Sequence, residues 1–416
     1  MRNHVLVTGL GPISSIGSGV PALWEALCMG RHGFGPVTRW EVGAFPARIA
    51  AEVRDFRIAD YLSGTKRWAL QPRYLQFAMA AATLALRDAG VEAGSVDPER
   101  VGVVVGSSVS SIQEILDQIG TTPDDEAIDP RAAFSLFSHS AACHISAYFD
   151  LRGPASTVGT GCNAGMDAVG QAAGLIQAGV ADAMLVIGSD CEVTPVTMRA
   201  LNAANALTRR YNNAPGRASR PFDKDRDGNV IGEGAAAVFL ESEAHAEARR
   251  ARPYARWAGY STCASGKSRV YNHLRPDLDP APALRVLRAA LQQAHHAPQD
   301  ISAVNANGSS SVLYDRLESQ ALDTLLGPKL EDTPVHSIKS MLGQHGAGSS
   351  ALQVVSACLS LRHGVLPPTI NYETPDPTCA PLPVVTRRTD GALNSILVHA
   401  IGFGGFYYSA SVLQRV

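Results

Sequence analysis

A cysteine, an asparagine and a glutamine sit in this chain where side chains of those types could act on a carbonyl. Cys162 lies in Thr160-Gly161-Cys162-Asn163-Ala164-Gly165, where a glycine-bearing turn runs into a small-residue amphipathic helix. Unpaired N–H groups and the dipole at a helix start stabilise a thiolate, so this placement is expected to lower the thiol pKa. Small neighbours leave room for a substrate carbonyl, and backbone N–H groups at a strand-to-helix elbow can hold an oxyanion. Away from such an elbow a buried cysteine is an inert small hydrophobe. A nucleophilic thiol also needs a partner that handles protons or charge, usually a histidine from elsewhere in the chain. The two segments best placed to supply one carry Asn307 and Gln344 instead.

The remaining chemistry-bearing patterns point to fewer functions. Asp223-Lys224-Asp225-Arg226-Asp227-Gly228-Asn229-Val230-Ile231 mimics the start of a calcium loop, but the twelfth position is Gly234 and Glu233 comes one place early. Seven cysteines, scattered and never in C-x-x-C, argue against a disulfide framework or a zinc site. The histidines, His4, His32, His245, His336 and the pair His295-His296 among them, read as surface or core residues without metal spacing. No metal or cofactor is expected. Gly402-Phe403-Gly404-Gly405-Phe406 is either a glycine-rich bend or a place where backbone approaches a thioester or an oxyanion. A formal net charge of −2 gives no electrostatic case for nucleic acid. No signal peptide and no apolar run near membrane length is read, so a cytoplasmic protein is expected.

These residues must be positioned by a chain of 416 residues, 45% hydrophobic, long enough to bury a large core. Short apolar runs at 101–106, 183–188, 235–240 and 395–401 alternate with helical patterns at 75–88 and 165–179, an α/β signature with buried strands. Val5 to Gly11 reads as a buried strand that breaks at glycine. A glycine turn, a small-residue helix, a short glycine and a strand run from Gly159 to Ile187. A similar order recurs from Lys339 through a helix at 351–362 to Gly364-Val365-Leu366. The echo predicts two related halves, 1–255 and 256–416, whose helix N-termini meet at one site. The polar segment from Ser261 to Pro282 is expected to link them.

As an ordered set, these segments resemble the β-ketoacyl-acyl-carrier-protein synthases, especially the type II fatty-acid and aromatic-polyketide ketosynthases. The likeness runs through Val5–Gly11, Gly153–Gly170, Ser219-Arg220-Pro221-Phe222-Asp223, Gly232-Glu233-Gly234-Ala235, Val304-Asn305-Ala306, Ser337–Gly343, Val365–Thr369 and Gly402–Gly405. The resemblance implies a thiolase-like α/β fold of two pseudo-repeated halves in αβαβα layers. It further implies a cysteine that receives an acyl chain from carrier protein, two histidines that support decarboxylation of malonyl-carrier protein, and a lysine–glutamate pair. By that matching Cys162 is the nucleophile, Lys339 and Glu233 are the supporting pair, and Phe403, between Gly402 and Gly404, gates the acyl pocket.

The departures are equally specific. Asn307 stands where the family reads Asn-Ala-His-Gly, and Gln344 where it reads Lys-Ser-Met-x-Gly-His; His345 lies next door, offset by one residue. Amides donate hydrogen bonds but do not titrate near neutral pH, so malonyl decarboxylation is expected to fail while acylation of Cys162 survives. The first expectation is a chain-length-factor-like subunit paired with an active ketosynthase, or else a homodimer. The alternative is an acyltransferase or atypical condensing enzyme that forms an acyl thioester on Cys162. Acyl carrier protein is the implied partner, with Lys66, Arg67 and Arg73 as its basic docking patch.

Overall fold

The computed structural model describes residues 4–43, 45–92, 94–110, 112–121, 137–266 and 279–416. The chain opens on strand β1 (Val5–Ser14), buried at every position, which does not break at its glycines. Helix α1 (Arg73–Asp88) presses its alanines onto that strand: a Cβ on Gly11 would lie 2.0 Å from the Ala81 carbonyl oxygen. The glycines therefore admit a helix at closer range than any side chain would allow. Strands β2 (Val101–Gly106) and β3 (Ala155–Val158), helix α2 (Ala164–Gln177) and strands β4 (Ala183–Cys191) and β5 (Glu233–Ser242) complete the first half.

The second half repeats the pattern with β6 (Ala255–Ala264), α3 (Ala281–Gln293), β7 (Ala303–Asn305), α4 (Val312–Leu326), β8 (Val335–His336), α5 (Ala347–His363), β9 (Ser395–Ile401) and β10 (Tyr407–Gln414). In space the first half runs β3-β2-β4-β5-β1 and the second β8-β7-β9-β10-β6. Both follow the order third, second, fourth, fifth, first, and in both the first three neighbours are parallel and the last two pairs antiparallel. The halves join edge to edge, Val5 opposite Trp257 and Val7 opposite Ala255.

The segment expected to link the halves does something else. Ser261–Ala264 belongs to β6 and pairs with Tyr407–Ala410 in the middle of the sheet, while 267–278 lies outside the described residues. The strand that closes the second copy of the echo is also displaced, since Val365–Leu366 pairs with Thr389–Asp390 in a separate two-stranded sheet.

Layering follows from which faces are apolar. One core lies between α1 and the first half of the sheet, another under α3 and α4 on the second half, and a third surrounds α2 and α5 between them. These two central helices meet at their first turns, as the echo predicts. A Cβ on Gly165 would stand 2.2 Å from the Ala347 carbonyl oxygen, so only glycine permits that approach. The contact is polar as well as close. Ser350 of α5 accepts a hydrogen bond from the Met166 N–H of α2 at 3.1 Å, and Asp190 at the end of β4 accepts from the Ala347 N–H at 2.7 Å. Each helix start is thus capped by a side chain from another element.

Candidate functional site

Cys162 sits where the sequence places it, between β3 and α2. Gly161 turns the chain at φ 64°, a 3₁₀ turn over Gly161–Asn163 follows, and α2 begins at Ala164. The elbow is tied to both halves. Thr160 donates to Asp167 at 2.5 Å, Tyr260 of β6 donates to the same carboxylate at 2.8 Å, and Asn163 donates to Ser409 of β10 at 2.9 Å.

The thiol's electrostatics contradict the expectation drawn from its helix terminus. Burial pushes the Cys162 pKa up to about 11, and the Glu192 carboxyl adds to the rise. Opposing but weaker influences come from the Phe403 N–H and the Gln344 side chain, which hydrogen-bond the sulfur, and from the charge of Lys339. Cys162 is only half-buried by surface exposure, yet the protein groups around its sulfur outweigh the fraction of a charge that a helix terminus contributes. The resting form is the thiol.

Asn307 and Gln344 both reach this site. The Asn307 loop follows β7 and is braced from α4: its N–H and that of Gly308 donate to the two Glu318 carboxylate oxygens at 2.7 and 2.8 Å. Asn307 Oδ1 accepts from Lys339 Nζ at 3.0 Å and from the Ile401 N–H at 3.1 Å. Its Nδ2 and the Gln344 Oε1 are buried and find no hydrogen-bond partner among the described residues.

The lysine–glutamate pairing is corrected. Lys339 Nζ donates to Asn307 O at 2.8 Å, Asn307 Oδ1 at 3.0 Å and Gln353 Oε1 at 3.1 Å, all of them neutral acceptors. Burial lowers its pKa to about 8, against the pull of Glu318. Glu233 instead lies at the start of β5, where its carboxylate meets Arg39 at 2.6 Å, Arg73 at 3.0 Å and the Val53 N–H at 3.0 Å. Helix α5, one face of which carries Gln353 beside Lys339, was the element to search for a partner.

Three other assignments change. His345 is a core residue: it accepts from or donates to Ser349 at 3.2 Å, packs against Gly232, and burial drops its pKa to about 4. The one-residue offset sets its ring against Gly232 in the first half. Arg73 does not belong to a free docking patch, because it is committed to Glu233 and lies over Phe77 at 4.6 Å. Arg67 is exposed on the helix Thr65–Ala69, and the side chain of Lys66 lies outside the described residues. Phe403 stays at the site and is 41% exposed; Gly404 beside it has φ 80° and donates to the Tyr314 hydroxyl at 2.7 Å.

Sequence reasoning missed Glu192 and His399. Glu192 follows β4 immediately and is buried beside Asp190; burial and that neighbour hold its pKa well above the usual carboxylate range. His399, in the middle of β9, is fully buried and its Nδ1 meets Glu318 at 2.7 Å. No motif marks either, since His399 sits in an apolar strand pattern and Glu192 reads as the polar end of one. In the calcium-loop-like segment Asp223 pairs with Arg220 at 2.9 Å, and no cluster of three metal-ligating side chains occurs among the described residues. None of their helices is long and apolar enough to cross a membrane.

Comparison with known proteins agrees with this geometry. The profile of the β-ketoacyl synthase N-terminal domain matches residues 2–246, and that of the β-ketoacyl synthase C-terminal domain matches 254–373. A putative polyketide beta-ketoacyl synthase 1 of Streptomyces cyaneus is 37% identical over 98% of this chain and 97% of its own length. The ishigamide ketosynthase/chain length factor structure superposes with a TM-score of 0.90 at 31% identity, covering 100% of both chains. A type II polyketide synthase acyl-carrier protein in complex with its ketosynthase, bound to the hexaketide, gives 0.90 at 30% identity, again over 100% of both.

Proposed function

This chain belongs to the β-ketoacyl synthase family, and on that premise we propose that it takes an acyl group from an acyl-carrier-protein thioester onto Cys162 without decarboxylating a malonyl extender. It would serve a type II polyketide or fatty-acid pathway. The observation that carries the reading is the setting of the sulfur, held by the Phe403 N–H and the Gln344 side chain at the head of α2. Those donors suit a thioester carbonyl as it becomes an oxyanion. The Lys339 ammonium, fixed by three acceptors, adds a positive charge nearby.

Decarboxylation asks for more. It needs groups that stabilise an enolate and move protons, and the amides of Asn307 and Gln344 do not titrate. Incubation with an acyl-carrier thioester should add the acyl mass to the intact protein, and Cys162→Ala should abolish the adduct. Carbon dioxide release from malonyl-carrier protein should stay at the level of Cys162→Ala; release well above it sinks this reading.

The second reading, a chain-length-factor-like partner of an active ketosynthase, is favoured by the amides at both histidine positions and by the likeness to the ketosynthase/chain length factor structure. Co-expression with a ketosynthase α subunit separates the two. A stable heterodimer that never carries an acyl adduct on Cys162 supports the second, and a homodimer that does supports the first. Arg67, exposed on its short helix, remains the proposed contact for an acidic carrier, where charge reversal should slow acylation by severalfold and more so at low salt.

A further inference from the structure

The Phe403 N–H meets the Cys162 sulfur from a turn that is poorly suited to hold it unaided. Gly402–Phe406 joins β9 to β10, and three of its five residues are glycines. Gly404 and Gly405 adopt φ 80° and 66°, the left-handed region that glycine enters without strain. Phe403 and Phe406 are both exposed, so neither side chain anchors the turn in a core. A donor to an oxyanion, however, acts through being fixed before the charge develops.

The base of the turn is pinned beside the nucleophile. Asn163, the residue after Cys162, donates to the Ala400 carbonyl at 3.3 Å, and a Cβ on Gly402 would stand 3.7 Å from Asn163 Oδ1. Asn307 Oδ1 accepts from the Ile401 N–H at 3.1 Å, and the Gly402 N–H donates to the Tyr407 carbonyl at 2.9 Å. The Phe406 carbonyl accepts from the Ser265 N–H at 2.9 Å. At the tip, the Gly405 N–H turns back to the Gly402 carbonyl at 3.0 Å, while the Gly404 N–H leaves the turn and donates to Tyr314 Oη at 2.7 Å. Tyr314 stands on the first turn of α4, which is itself well braced. Ser311 caps that helix by accepting from the Tyr314 N–H at 3.4 Å, and Asp315 accepts from the Phe222 and Ser309 N–H groups at 2.9 and 3.0 Å. Burial raises the Tyr314 pKa above its ordinary value, so the hydroxyl stays neutral at working pH.

We propose that Tyr314 is a positioning residue for acyl transfer: its hydroxyl holds the Gly404 N–H, and thereby keeps the adjoining Phe403 N–H where the thioester oxygen becomes an oxyanion. The two peptide planes meet at Phe403 Cα, so fixing one leaves the other only the rotation at that atom. With the Gly402 N–H already bonded to Tyr407, the Tyr314 contact closes the remaining freedom of the tip. Tyr314 takes no proton and acts through the turn alone. It also joins α4, which follows the Asn307 loop, to the turn that faces the sulfur, so that both sides of the site move as one piece. This inference rests on the reading of Cys162 as an acyl acceptor.

Two reactions of the same sulfur test it. Tyr314→Phe deletes only the hydroxyl, and single-turnover acylation by carrier thioester should fall about thirtyfold, less than the hundredfold or more that outright loss of an oxyanion donor costs. The fall should appear in the maximal rate, with the half-saturating thioester concentration unchanged. Alkylation of Cys162 by iodoacetamide at pH 8 forms no oxyanion and should stay within about threefold of wild type. Gly404→Ala displaces the tip by another route, since at φ 80° its Cβ would stand 2.4 Å from the Phe406 ring. Added to that variant, Tyr314→Phe should cost nothing more, because both act on one contact. Acylation of Tyr314→Phe at the wild-type rate overturns the proposal, as do additive effects of the two substitutions. Parallel loss of acylation and alkylation overturns it in favour of a packing defect. Absence of acylation in the wild type sinks the acyl-acceptor reading itself, and this inference with it.

Discussion

Glu192 and Glu233 lie near one another, one just past the end of β4 and the other at the start of β5 opposite Cys191, yet they are opposite solutions to burying a carboxyl. Glu233 is fully enclosed and answered by two guanidinium groups, a backbone N–H and the Cys191 thiol at 3.1 Å. Glu192 is enclosed beside a second acid with no cation against it among the described residues, and burial and that neighbour push its pKa well above the usual carboxylate range. A buried charge that is paired is a structural brace, whereas one without a counter-charge is pushed toward its neutral form. The same contrast runs through the cations, since Arg73 is matched to a carboxylate while Lys339 is held by neutral oxygens.

The largest effect expected from this contrast is at Glu233. Glu233→Ala leaves Arg39 and Arg73 facing a buried void, and removing one partner of such a pair costs about 3–5 kcal/mol. Urea unfolding at pH 7 should register it, and a loss under about 1 kcal/mol would show that solvent rescues both arginines.

Glu241 extends the paired class and gives it a pH signature. Its carboxylate meets His245 at 2.6 Å, Arg249 and Thr8, and these bonds outweigh its burial and hold its pKa near 2, against an ordinary 4.5. A depressed folded pKa means stability that is fully present above the unfolded value and lost as pH falls through the folded one. About 3 kcal/mol should therefore disappear between roughly pH 4.5 and 2, and Glu241→Gln should lack that acid-sensitive part.

Glu192 should behave in the opposite sense. Its folded pKa is raised, so below the ordinary 4.5 both states hold the proton and the residue is neutral in its effect. As pH climbs past that value the unfolded chain ionises first and the native state is penalised. Glu192→Gln escapes the penalty: its melting temperature should equal the wild type's at pH 4 and exceed it at pH 8. A melting temperature lower than wild type at pH 8 would place Glu192 among the braces.

The sequence made the fold legible through its strands, because residues buried on both faces write continuous apolar runs, and through the glycine turns that open α2 and α5. In the structure the Gln344 side chain hydrogen-bonds the Cys162 sulfur and Asn307 holds Lys339, whose charge acts on the same thiol, because these residues follow turns that the repeat brings to one place. The sequence misjudged what depends on enclosure. The thiol's pKa rises because packing removes solvent, a quantity no motif records. Glu233 was chosen for Lys339 because both lie in recognisable segments, whereas the lysine's acceptor, Gln353, is an unremarked residue inside a buried helix. Glu192 was invisible for a related reason: one acid after a strand reads as its solvent-exposed end.

The smallest and sharpest test addresses the imidazole that is missing beside Cys162. Gln344→His places a group of ordinary pKa near 6.5 where the side chain already reaches Cys162 Sγ. The new ring is not held by the neighbours that a native histidine would have, so acylation should rise by no more than about tenfold. A gain confined to pH above the new ring's pKa would mark it as a proton acceptor, whereas a change independent of pH would mean that the amide's hydrogen bond already supplies all that this position contributes to acylation.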